Sequence, residues 1–208
     1  MKLERFTLAV SLLVGLLTAP LWAYAADNTI NMVLIPGKGY EIGKYEVTQG
    51  QWKAVMGNNP SKFGKCGDNC PVEAVSWDDI QIFLGKLNAK TGKLYRLPSD
   101  AEWEHACYGG SESEYCGGNV ADAVAWTEES SNGQTHAVGK KRANGYGLHD
   151  MSGNVWEWTN DCAEERCVLR GGSWKNDAKI TRATDRNLNS PDFRCLSDGF
   201  RLARTVAP

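Results

Sequence analysis

Glu157 stands between Trp156 and Trp158, just behind Gly153-Asn154, in the stretch Gly147-Leu-His-Asp-Met-Ser-Gly-Asn-Val-Trp-Glu-Trp-Thr-Asn-Asp161. A Gly-Asn step can turn the backbone at positive φ, and side chains two apart on an extended segment share a side. The two indoles are therefore expected to face one way and the carboxylate the other. With the Asn154 side chain and the carbonyls of Gly153 and Val155, Glu157 offers the hard oxygen ligands that Ca²⁺ prefers. The same residues admit a plainer reading, in which Asn154 caps a turn and Glu157 pairs with an arginine.

A second concentration of chemistry follows Arg170-Gly-Gly-Ser-Trp174. The run from Lys175 to Arg194 is polar, and Arg182, Arg186 and Arg194 present planar forks suited to carboxylates or carbonyls. Trp174, Asn176, Asp177, Arg182, Arg186 and Asn187 are expected to line an exposed cleft beside Gly171-Gly172 and to take a protein, peptide or sugar ligand. Arg182 and Arg186, four apart, could equally pair with Asp177, Asp185 or Asp192 and order the loop. No Ser/His/Asp or Cys/His arrangement is evident from spacing, and no Gly-rich run resembles a phosphate cradle.

The elements that must hold these residues are signalled early in the chain. Thr48-x-x-Gln51, Ser76-x-x-Asp79 and Ser99-x-x-Glu102 are capping boxes, each opening a segment without internal Pro. After Ser76, Ile80, Phe83, Leu84 and Leu87 fall on one helical face, with Gly92 as C-cap. After Ser99, Ala101, Trp103, Ala106 and Cys107 lead to Gly109-Gly110. Beyond that point no helical period is found, only apolar bursts at Val155 to Trp158, Cys167 to Leu169 and Phe200 to Ala203. Most of the tryptophans are expected to be core rings pinning loops.

Met1 to Arg5 is a short charged head, Phe6 to Trp22 an apolar run broken by Pro20, and Ala23-Tyr24-Ala25 a small-x-small site. This predicts a secretory signal peptide over residues 1–25 and a single domain over 26–208, periplasmic or secreted, with no membrane anchor after cleavage. Formal net charge is −2 with no basic face, which argues against nucleic acid. Export would let the seven cysteines form disulfides. Local spacing suggests Cys66 with Cys70, Cys107 with Cys116 and Cys162 with Cys167, although spacing does not fix connectivity. Cys195 is then the free or intermolecular thiol. Zinc is not expected, because Cys66-x3-Cys70 has no second Cys or His pair at ligand spacing.

Gly147-Leu-x-Asp-Met-x-Gly-Asn-Val-Trp-Glu-Trp, with Arg170-Gly-Gly-Ser-Trp174, Arg96-Leu-Pro-Ser-x-Ala-Glu-Trp-Glu104 and Gly199-Phe-Arg-Leu-Ala203, resembles the formylglycine-generating-enzyme, or sulfatase-modifying-factor, domain from about Asn31 to Arg204. The resemblance implies an α+β, C-type-lectin-like fold with few helices, short strands and long loops, stabilised here by disulfides. It also implies a structural calcium at the Gly153, Asn154, Val155 and Glu157 positions. In the catalytic members two cysteines, two and seven residues after the aromatic of the Gly-Gly-Ser motif, bind copper and oxidise a substrate cysteine. Counted from Trp174 these positions are Asn176 and Thr181, which carry no thiolate, so no copper is expected. The expectation is a non-catalytic binding or regulatory module, like the variable ligand-binding members of the superfamily. The alternatives are a maturation enzyme of the pyoverdine type and a structural partner in a secretion or surface complex.

Overall fold

Each of the three capping boxes opens a helix. In the computed structural model, which describes residues 30–206, Thr48 caps α1 (Gln49–Met56), Ser76 caps α2 (Trp77–Thr91) and Ser99 caps α3 (Asp100–Tyr108). In every case the hydroxyl accepts from the N3 amide and the N3 side chain accepts from the cap amide, an arrangement in which the cap alone contributes about 0.5–2 kcal/mol. Gly57, Gly92 and Gly109 close these helices in the left-handed conformation. The expected leader, residues 1–25, lies outside the described residues.

Strands are short and form three sheets. β1 (Met32–Leu34), β2 (Tyr40–Gly43), β3 (Tyr95–Arg96) and the last strand, Ala203–Thr205, make an antiparallel sheet that joins the two ends of the described chain. A one-turn helix, α4 (Ala121–Val124), leads into β4 (Ala125–Trp126), which pairs in parallel with β5 (Ser152–Gly153). The third sheet runs in the order β8 (Arg186–Asn189), β7 (Arg166–Arg170), β6 (Trp156–Ala163), β9 (Asp198–Gly199). The last strand, Ala203–Thr205, is β10.

The short strands before β6 were not read from the sequence, nor were α4 and β8. α4 is a single turn, too short to leave a period. β8 crosses the stretch expected to be loop: Arg186-Asn-Leu-Asn is poor strand material but pairs in register with Cys167–Arg170 as an edge strand.

β6 divides the core. Trp156 and Trp158 point to one side, into a cluster with Trp52, Phe83 and Phe200, where Trp52 stacks on Phe83 with centroids 5.1 Å apart. Fully burying one such side chain is worth about 1.5–3 kcal/mol. Glu157 points to the other side, toward a second cluster that holds Trp103, Leu148, Met151 and the Cys107–Cys116 disulfide. The expected pairs Cys66–Cys70, Cys107–Cys116 and Cys162–Cys167 all form, and Cys195 is left as a thiol.

Candidate functional site

Gly153 and Asn154 adopt positive φ, 77° and 60°, as the sequence suggests. A side chain at Gly153 would strike the Trp126 carbonyl at 2.2 Å, so only glycine fits this close crossing. Asn154 is a knot between loops. Its Oδ1 accepts from the His136 amide at 2.9 Å, and its Nδ2 donates to Glu46 Oε2 at 2.6 Å and to the His136 carbonyl at 3.2 Å. Glu157 is wholly buried and pairs with an arginine: Arg201 Nε donates to Oε2 and Nη2 to Oε1, both at 2.6 Å, while Trp103 Nε1 adds a third bond at 2.6 Å. Arg201 spends its remaining donors on the carbonyls of Gly43 and His149, each at 2.9 Å.

The expected calcium set therefore changes in one member. The Asn154 side-chain oxygen is committed to His136 and leaves the set. Asp150, four residues earlier and 2% exposed, has an Oδ1 with no hydrogen-bond partner. Asp150 and Glu157 lie close enough to Glu46 to raise its proton affinity, and Glu157 acts likewise on Asp150, against the single Arg201. Burial first, then this crowding, pushes Glu46 well above the usual carboxylate range; burial pushes Asp150 to about 6. Among the described residues no three His, Cys, Asp or Glu side chains form a metal-binding group. Asp150, Glu157 and the Gly153 and Val155 carbonyls are oxygen donors of the kind a hard divalent cation takes, with Asp150 Oδ1 open and both Glu157 oxygens shared with Arg201.

The Arg170-Gly-Gly-Ser-Trp174 motif does a related structural task. Arg170 is fully buried, pairs with Asp100 and with Glu104 at 2.9 Å, and donates to the Ala183 carbonyl at 3.0 Å. It thereby fastens the start of α3 to the polar segment beyond Trp174.

That segment borders an open cavity of about 400 Å³. Asn176, Arg186 and Asn187, three of the six residues expected in a cleft, line it. The other three do not. Trp174 is half-buried, its indole donating to the Leu196 carbonyl and its ring edge-on to Phe63. Asp177 caps a 3-10 turn at Ala178–Thr181, and Arg182 pairs with Glu114 at 2.8 Å. The local pairs considered for Arg182 and Arg186 are replaced by long-range ones, Arg186 reaching Asp100 at 2.7 Å; Arg194 likewise reaches Asp79 at 2.6 Å. Short acidic side chains within the same loop lose to partners that the helices hold in place.

Sequence reasoning missed Lys175, Cys195, Ser197 and Asp198 as cavity residues. Cys195 opens on the same cavity as Asn176, with Lys175 Nζ 3.2 Å from its sulfur. The odd cysteine was the signal that could have located this end of the cavity. It is one thiol where two-thiolate copper chemistry needs a pair, since the other six described cysteines are in disulfides. Thr181, the second of the two positions, is buried and donates to the Ala178 carbonyl.

Residues 17–206 match the sulfatase-modifying factor enzyme 1-like domain. The chaperone protein LppX of Paenibacillus barcinonensis is 31% identical across 80% of this chain and 80% of its own length. Inactive Cα-formylglycine-generating enzyme 2 of Bos taurus is 36% identical across 64% of this chain, which spans half of that relative's length. Among solved structures, variable protein 1 of Treponema denticola superposes with a TM-score of 0.75 at 30% identity, covering 85% of this chain and 92% of that one. With the buried Glu157–Arg201 pair, the Arg170 tie and the disulfides already in place, these matches identify the chain as a member of the sulfatase-modifying factor enzyme 1-like family.

Proposed function

We propose that the protein is an exported, non-catalytic binding module of this family that takes a peptide or sugar ligand in the cavity beside Asn176, Arg186 and Asn187. The carrying observation is that cavity: amide and guanidinium side chains occupy it, and Asn176 stands where the catalytic relatives place a thiolate. Amide side chains and an arginine fork recognise carbonyls, carboxylates and sugar hydroxyls by hydrogen bonds. Three disulfides favour an oxidising compartment, and among the described residues no helix is long and apolar enough to cross a membrane. One relative carries the name inactive formylglycine-generating enzyme and another the name chaperone, which suits binding without turnover. The proposed calcium, held by Asp150, Glu157 and the Gly153 and Val155 carbonyls, would stiffen the loop behind the cavity.

Two measurements test the reading. On arrays of peptides and glycans, Arg186→Ala is expected to weaken the selected ligand by about 1.5–3 kcal/mol, the range of a charge-assisted bond, with the melting temperature little changed. An array on which no ligand responds to Arg186→Ala or Asn187→Ala places recognition elsewhere. With Cu(I) and a Cys-x-Pro-x-Arg peptide no aldehyde is expected; repeated turnover would make the protein an oxidase.

A further inference from the structure

Cys195 sits in a chain of contacts that a structural thiol does not need. Its sulfur lies 3.2 Å from Lys175 Nζ and 3.2 Å from Ser197 Oγ, and Ser197 Oγ in turn donates to Asp198 Oδ1 at 3.0 Å. With the Ser197 proton spent on Asp198, the thiol proton points at the Ser197 oxygen. All four residues line the cavity, and Cys195 is part-exposed there. Asp198, only 2% exposed, lines the cavity with an Oδ2 that has no hydrogen-bond partner. A buried carboxylate oxygen left open in this way is an acceptor for a ligand N–H.

We propose that this cavity is a thiol–disulfide exchange site whose co-reactant is a peptide bearing an accessible disulfide, with a peptide N–H on Asp198 Oδ2 and one disulfide sulfur against Cys195. The assignment rests on the cavity being the ligand site.

The step balances without an external oxidant. The Cys195 proton passes to Ser197 as the Ser197 proton passes to Asp198, and the thiolate is held by the Lys175 ammonium. The thiolate attacks one sulfur of the peptide disulfide, a Cys195–S–S–peptide bond forms, and the old S–S bond breaks. The other sulfur leaves as a thiolate, which takes the proton back from Asp198. Cys195 is oxidised to a mixed disulfide, the departing sulfur is reduced to a thiol, and the peptide stays covalently captured.

Dithiodipyridine, an uncharged aromatic disulfide, reads this directly on the full oxidised chain, because its uncharged form removes simple attraction to Lys175. One thiopyridone per chain is expected from the native protein, with the adduct on Cys195 by mass. Lys175→Met should slow release about tenfold, whereas Lys175→Arg, which keeps a cation there, stays within about threefold. Release should rise as pH climbs through about 6, where Asp198 loses its proton, and Ser197→Ala, which breaks the relay without changing charge, should remove that rise. A native Cys195 no faster than an unstructured cysteine peptide, or a Lys175→Met variant as fast as wild type, overturns the proposal. A disulfide peptide that is captured covalently on Cys195 without measurable non-covalent affinity sinks the reversible-binding reading above but keeps the cavity as the ligand site on which this one rests. Peptides that bind while Cys195 stays inert sink this one alone.

Discussion

Five of the arginines fall into two environments, and the contrast separates buried ties from exposed pairs, of which only Arg186 borders the cavity. Arg170 and Arg201 have fully buried side chains; Arg170 meets two carboxylates and Arg201 one, held bidentately, and both also donate to backbone carbonyls. Arg182, Arg186 and Arg194 are 44%, 53% and 54% exposed, and each leans on a single carboxylate. The guanidinium is identical in all five. Desolvation makes the first two indispensable ties, since a buried charge without its partner is costly, whereas the three exposed pairs are screened by water and cheap to exchange.

The largest expected effect tests the buried side. Arg201→Met strands the Glu157 carboxylate among apolar residues and is expected to cost about 3–5 kcal/mol in denaturant unfolding. Combining it with Glu157→Leu should recover much of the loss, because a buried ion pair is often no more stabilising than apolar residues of similar volume. An Arg201→Met variant as stable as wild type would erase the distinction between the two groups.

Asp198 sharpens the comparison, since it is a buried charge on the cavity side. Burial raises its carboxyl to about 6, with Ser197 and Lys175 opposing. A raised carboxyl binds its proton more tightly in the folded state, so stability falls as pH climbs from the ordinary carboxylate range through about 6. Asp198→Asn should therefore gain on wild type between pH 4 and pH 7, by at most about 3 kcal/mol and by less where water reaches the cavity. A gap that stays constant with pH would mean that Asp198 is not held uncharged in the fold.

Calcium follows, with a similar ceiling. If Asp150, Glu157 and the two carbonyls hold the ion in the native state alone, a hundredfold excess over Kd stabilises by about 2.7 kcal/mol. EDTA is then expected to lower the melting temperature by several degrees in wild type but not in Asp150→Ala. No response in wild type would leave proton uptake by Glu46 and Asp150 as the means of balancing the cluster.

Legibility in the sequence divided along the same line. Local rules reached the helices, because Thr48, Ser76 and Ser99 bond to residues three positions on, and they reached the short-range disulfide pairs. The Trp156–Glu157–Trp158 alternation also gave the two faces of β6. What spacing could not supply was the partner. Glu157 meets Arg201 across 44 residues, and Arg186 meets Asp100 rather than an acid in its own loop. Lys175 meets Cys195 across 20 residues, while Asp198 reaches its neighbourhood through a local turn. Asn154 carried the right turn signal, yet its side chain ties His136 to Glu46 where a calcium ligand was expected.

The smallest effect is expected where an exposed arginine touches a cap. Arg194 donates to both oxygens of Asp79, at 2.6 and 2.8 Å, while Asp79 accepts from the Ser76 amide as the N3 residue of the α2 capping box. The Arg194 fork, helped by the Ser76 bonds, holds the Asp79 carboxyl below its usual range. A depressed carboxyl adds stability above its unfolded pKa and loses it as pH falls through the folded value. Arg194→Ala should therefore cost less in acid than at neutral pH. The carboxylate keeps the cap without Arg194, and water screens the pair, so a double-mutant cycle with Asp79→Asn is expected to return a coupling of only about 0.2–1 kcal/mol. A coupling as large as that of the Glu157–Arg201 pair would mean that exposure does not set the worth of these arginines, and Arg194 would then rank with the ties.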